Sequence, residues 1–116
     1  MANAEKGEVA VKVGGRDLTL VYTYNTVAEL EQIEGVPFVA LVQRLADGTT
    51  LAFRLMLWGA LRKHHPDLSL FDVGDILDDL TADEFMAVGE AVGKAARFRL
   101  SKLGYKFPDE QPADAG

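Results

Sequence analysis

The stretch Leu51 to His64, LAFRLMLWGALRKH, constrains the rest of the chain most. Between Leu51 and Leu61 its only charged side chain is Arg54. A membrane span needs about 20 consecutive apolar residues, and this run falls short. It is too long, and too rich in Leu, Met and Ala, for a buried strand, so it reads as a helix. A helix that is apolar nearly all round must be covered on several sides. The shorter, one-faced segments before and after it are expected to be that cover. Its one polar stripe is Arg54, Trp58 and Arg62, spaced i, i+4, i+8 on a shared face.

Upstream, Glu8 to Val13 alternates, with Val9, Val11 and Val13 on one face. Gly14-Gly15 supplies the positive φ of a tight turn, extended by Arg16-Asp17. Leu18 to Thr23 alternates again through Leu18, Leu20 and Tyr22, which predicts a β-hairpin. Thr26-Val-Ala-Glu29 matches a capping box and opens a first helix. Its inner face is Val27, Leu30 and Ile33; Glu29, Glu31 and Glu34 face out, and Gly35 stops it. After Pro37, Phe38, Leu41, Val42 and Leu45 give a second helix one apolar stripe, ended by Asp47-Gly48. Thr49-Thr50 then caps the central helix.

Downstream, His65-Pro66-Asp67 breaks the central helix. Ser69-Leu-Phe-Asp72 caps a fourth helix with Val73, Ile76, Leu77 and Leu80 inward and Asp72, Asp75 and Asp79 as an acidic outer stripe. Thr81-Ala-Asp-Glu84 is a further capping box, opening a long helix from Ala82 to Lys102. Its apolar positions are Phe85, Val88, Val92, Ala95 and Ala96. The expected fold class is α+β, mostly helical: an N-terminal β-hairpin, then about five helices packed round a central apolar helix. One globular domain over residues 8–104 is expected, between a flexible N-terminus of residues 1–7 and a flexible acidic tail of residues 105–116.

Composition narrows the function. A formal net charge of −6 argues against nucleic acid as the main partner, because duplex binding rests on clustered cations. The charge is uneven: eight carboxylates and no Lys or Arg from Asp67 to Glu90, then five basic residues and no acid from Lys94 to Lys106. Such polarity describes a solvated acidic face beside a basic helix end, and can also orient a protein partner. Without cysteine there is neither disulfide nor thiolate chemistry. His64 and His65 point some 100° apart on a helix, and nothing completes a zinc set. The aspartates of the fourth helix lack the glycine turn and closing Glu of a calcium loop. Neither a phosphate-cradling glycine loop nor a nucleophile elbow occurs. No enzyme activity, metal or cofactor is expected, and with neither an apolar leader nor a span the expected setting is the cytoplasm.

Two features lean towards protein binding. Trp58, one turn from Arg54 and one from Arg62, is either an interface anchor sandwiched by guanidinium groups or the closing edge of a core over which the arginines snorkel. Gly89 and Gly93 lie four apart inside the last helix, where each costs about 1 kcal/mol against Ala. They serve either a tight crossing within the domain or a groove for a partner.

The run LWGALRKHHPDLSLFDVGDILDD, from Leu57 to Asp79, resembles the tail proteins of bacterial gene transfer agents and related siphophages, a family grouped with phage tail assembly chaperones. The N-terminal pattern GEVAVKVGGRDLTLVYTYNTVAELE resembles theirs too, and the likeness covers roughly residues 7–100. It implies a small cytoplasmic factor that binds the tape-measure protein, and possibly tail tube subunits, during tail assembly. The same family has been described as tail tube components, so a subunit retained in the particle is the alternative. An unrelated adaptor domain is a third reading, and self-association is compatible with each. The residues offered as protein-binding are Arg54, Trp58, Arg62, Asp72, Asp75, Asp79, Gly89 and Gly93.

Overall fold

The structure, a computed structural model, describes residues 2–107. The hairpin comes first, with strand β1 at Val9–Val13 and β2 at Arg16–Leu20 paired antiparallel in the register Val11↔Leu18. Gly14 and Gly15 carry φ of 56° and 75°, the positive pair that a two-residue turn of type I′ requires. Arg16 and Asp17 therefore belong to the strand rather than to a longer turn, as the sequence pattern had placed them. Val13, Leu18, Leu20 and Tyr22 are buried, so the alternation does point one face at the core.

Five α-helices follow among the described residues: α1 Tyr24–Glu34, α2 Phe38–Ala46, α3 Thr50–Leu61, α4 Leu70–Asp78 and α5 Ala82–Lys102. The fold is α+β and mostly helical. Helix α3 packs against β2 and against each of the other four helices. Seven of its twelve residues are buried, Leu55, Met56 and Leu57 among them. Gly59 is the contact point with α1, since a Cβ there would stand 2.8 Å from Leu30 Cδ1. The helix stops at Leu61, a turn short of His64. The histidines that follow tie it to the hairpin: His64 Nε2 meets Glu8 Oε2 at 2.9 Å, and His65 Nε2 accepts the N–H of Thr19 at 3.1 Å.

One helix start and two residue placements differ from the pattern reading. Helix α1 opens one turn earlier than expected: Thr23, not Thr26, is the cap, its Oγ1 accepting the Thr26 N–H at 3.1 Å. The Thr26–Glu29 spacing is thus a match without the bond. Glu31 does not simply face out, because its carboxylate accepts the Phe38 N–H at 2.7 Å and caps α2. Ile33, expected on the inner face, is 53% exposed; the buried residues of α1 are Thr26, Val27 and Leu30, all before its last turn. Both downstream capping boxes form as read, Ser69 with Asp72 and Thr81 with Glu84.

The ends are more engaged than their composition implies. Asn3 caps a 3-10 turn over Ala4–Lys6, and its carbonyl accepts the Glu8 N–H at 3.0 Å. Gly7 is buried beneath the Phe98 ring, which would collide with any Cβ at that position. At the other end Phe107 packs against the core edge, under the Arg97 guanidinium at 4.2 Å and beside the Tyr105 ring. The rest of the tail expected to be flexible, residues 108–116, lies outside the described residues, as does Met1.

Candidate protein-binding surface

The polar stripe of α3 divides in space. Arg62 turns back over Trp58, its Cζ 4.8 Å from the ring, and reaches Glu29 of α1 at 3.5 Å. Its Nε is buried without a hydrogen-bond partner among the described residues. Trp58 itself is half-buried and packs on the core. Arg54 goes elsewhere: its Cδ lies 3.5 Å from where a Cβ on Gly74 of α4 would stand. An i, i+8 pair drifts about 80° round a helix, enough to give its two ends different neighbours. Arg62 therefore faces α1, with the Trp58 ring beneath its guanidinium, while Arg54 faces α4.

The acidic stripe of α4 is also shared out. Asp72, Asp75 and Asp79 line a cleft of about 230 Å³ against the hairpin turn, with Arg16 on the far side. Asp72 is engaged in its capping box; the Ser69 N–H holds its carboxyl below the usual range, and Arg16 adds to that. Glu84 of α5 bonds both the Thr81 N–H and, at 2.8 Å, the Gly14 N–H, and these hold its carboxyl low. This end of the molecule is a fastening between hairpin and helices.

Gly89 and Gly93 do not mark a tight crossing within the described residues. A Cβ on Gly89 would sit 3.9 Å from Phe53 Cε1, ordinary contact, and one on Gly93 would meet nothing within 4 Å.

A wide apolar concavity lies where Arg54 lines the surface. It is a groove of about 490 Å³ between the end of α2, the first turns of α3, the middle of α4 and the start of α5. Leu45, Phe53, Leu77 and Phe85 form its apolar walls, Gly74 leaves one wall low, and Arg54 and Asp78 bring the charges. Phe53 and Phe85 tilt against each other with centroids 4.8 Å apart and 39° between their planes. Phe85, expected in the core, is instead half out of it. On α4 and α5, two of the helices that wall the groove, Phe71 is 79% and Met86 64% exposed. Phe71 is three residues before Gly74 and so shares its face of α4. An apolar groove with charges on its walls is a candidate interaction surface.

Of the residues singled out from sequence, Arg54 lines this groove and Gly89 borders it through Phe53. Trp58 and Arg62, the three aspartates and Gly93 are not brought to it. Phe53, Phe71, Gly74, Asp78 and Met86 were missed. A signal existed: Phe85-Met86 and Phe71 fall in first turns just after capping residues, where a helix has not yet passed under its cover. No helix of the described residues is long and apolar enough to cross a membrane. Comparison with family models, with curated proteins and with solved structures finds no match to this chain.

Proposed function

We propose that this chain is a non-enzymatic tail assembly chaperone of the gene-transfer-agent and siphophage kind. On this reading it binds the tape-measure protein in the bacterial cytoplasm, keeps it from aggregating, and leaves as tube subunits polymerise round it. The observation that supports the reading is the groove between α3, α4 and α5, with its aromatic pair and Arg54 on one wall. Apolar contact area with a charged edge is what an elongated helical client needs, and no enclosed pocket is required. The resemblance over residues 7–100 suggests the kind of client, and on this reading the groove is the surface on which it would sit.

Two measurements test it. A tape-measure fragment should bind the chain in calorimetric titration, and more weakly when Phe85 is replaced by Ser. Mass spectrometry of purified particles should then find the chain absent from finished tails. Stoichiometric retention there would make it a structural subunit, and failure to bind would leave the client reading without support.

A further inference from the structure

We propose that the groove takes an amphipathic α-helix whose apolar stripe carries an acidic flank on the side of Arg54. This rests on the reading of the groove as the client-binding surface and adds the chemistry of the occupant.

The walls say why a helix. They come from α2, α3, α4 and α5, whose backbones are bonded internally. An extended peptide gains affinity by pairing its backbone with a strand edge, and no strand lines this groove. An occupant must therefore satisfy its own N–H and C=O groups before entering an apolar trough, as a helix does. The Phe53–Phe85 pair offers aromatic contact in the groove, and Phe71 and Met86 are exposed apolar side chains of α4 and α5, two of the helices that wall it.

The charges say which flank. Arg54 is partly buried and makes no hydrogen bond or ion pair among the described residues, although Arg62 on the same helix makes both. A guanidinium so placed is satisfied by a carboxylate from outside. Asp78, on the α4 wall, opposes acid on the other flank, so the charge must be one-sided. The glycines agree with this. Cβ atoms at Gly74 and Gly89 would lie 3.5 Å from Arg54 Cδ and 3.9 Å from Phe53 Cε1, so the fold has room for Ala at both. Leaving Gly74 bare keeps one wall of the trough low, and leaving Gly89 bare leaves space behind the Phe53 ring.

The test uses the full chain and two synthetic helical peptides with the same Leu/Phe stripe, one flanked by Glu and the other by Lys. In calorimetric titration the Glu peptide should bind about tenfold or more tightly than the Lys peptide, the range for one interfacial charge pair. Arg54→Glu should reverse that order. The double variant Gly74→Ala/Gly89→Ala should melt higher than the parent yet bind the Glu peptide more weakly, a combination that lost folding cannot produce. Equal binding of both peptides, or indifference to Arg54→Glu, overturns the proposal. So does a light-scattering dimer abolished by Arg54→Glu, which would assign the groove to a second copy of the chain. A tape-measure fragment titrated in parallel separates the two levels. If it ignores Arg54→Glu while the peptides obey the order above, the client is wrong and the helix inference stands. If only the fragment responds, the helix inference fails alone.

Discussion

Tyr22 and Met56 join the hairpin to the central helix, the buried phenol O–H donating a 2.6 Å hydrogen bond to the Met56 carbonyl. Burial pushes the phenol pKa far up, so it stays a donor at every working pH. The ring also tilts against Phe38 with centroids 5.1 Å apart. One side chain thus fastens β2, α2 and α3. Tyr22→Phe keeps the ring and loses the bond, which should cost about 1 kcal/mol. Tyr22→Ala also empties the space, at about 3–5 kcal/mol. Urea midpoints of the two variants check both, and equal losses would show that the hydroxyl contributes all of it.

The helix-interior glycines should separate by sign. At Gly59 a Cβ meets Leu30 at 2.8 Å, and the α1–α3 contact would have to open. Gly59→Ala should destabilise by about 1–3 kcal/mol through overpacking. Gly74→Ala and Gly89→Ala have room, and each should stabilise by about 0.5–1 kcal/mol through helix propensity. Thermal melts of the three single variants give the answer directly. A loss at Gly89 would mean that Phe53 is held more tightly than 3.9 Å implies.

These positions also show what can be read without coordinates. The central helix, the hairpin turn and two capping boxes follow from local rules: an unbroken apolar run, two adjacent glycines, Ser69 with Asp72, Thr81 with Glu84. Packing partners do not follow from such rules. Nothing in the spacing of Thr26 and Glu29 reveals that Thr23 reaches the Thr26 N–H first. Periodicity puts Phe85 on an inward stripe, yet the helix begins three residues earlier and the core does not extend under its first turn. The groove is assembled from Leu45, Phe53, Leu77 and Phe85, residues up to 40 apart in sequence, and each alone reads as core. Arg54 was legible as a candidate because a charge in an apolar run is conspicuous; its separation from Arg62 needed the neighbours.

Acid should loosen the hairpin in two stages. His65 accepts the Thr19 N–H, which demands the neutral ring, and partial burial with His64 alongside holds its pKa below the ordinary 6.5. The unfolded chain then binds more protons than the folded one just below that value, so stability falls as pH drops through 6.5 towards the lower folded pKa. Glu8, Asp72 and Glu84 act further down, each depressed first by a backbone N–H, from Asn3, Ser69 and Thr81 respectively. Their contribution is present above the ordinary carboxylate range and lost as pH falls through it. His65→Gln retains an acceptor for Thr19 without a titrating group. It should flatten the upper stage and leave the lower one. Urea midpoints from pH 8 to 3 would reveal either pattern.

The two arginines of α3 should part company when substituted one at a time. Arg62 is committed within the fold, stacked on Trp58 and reaching Glu29 at a long 3.5 Å. Cation–π contact at a partly exposed site contributes about 0.5–1 kcal/mol, and an exposed ion pair about 0–1. Against this, Arg62→Gln removes a buried Nε that has no partner among the described residues, so the net loss should stay near or below about 1 kcal/mol. Trp58 emission should shift, because its cover is gone, while affinity for an acidic helical client should hold. Arg54 has no such commitment. Arg54→Gln should leave stability within about 0.5 kcal/mol and weaken client binding by about 1–3 kcal/mol. That binding loss should shrink at high salt, where the charge is screened. Tm, tryptophan emission and calorimetric affinity, measured on both single variants at low and high salt, form the test. If binding falls with Arg62 rather than Arg54, the contact surface runs across the α1 side of the molecule, and the groove is not where the client lies.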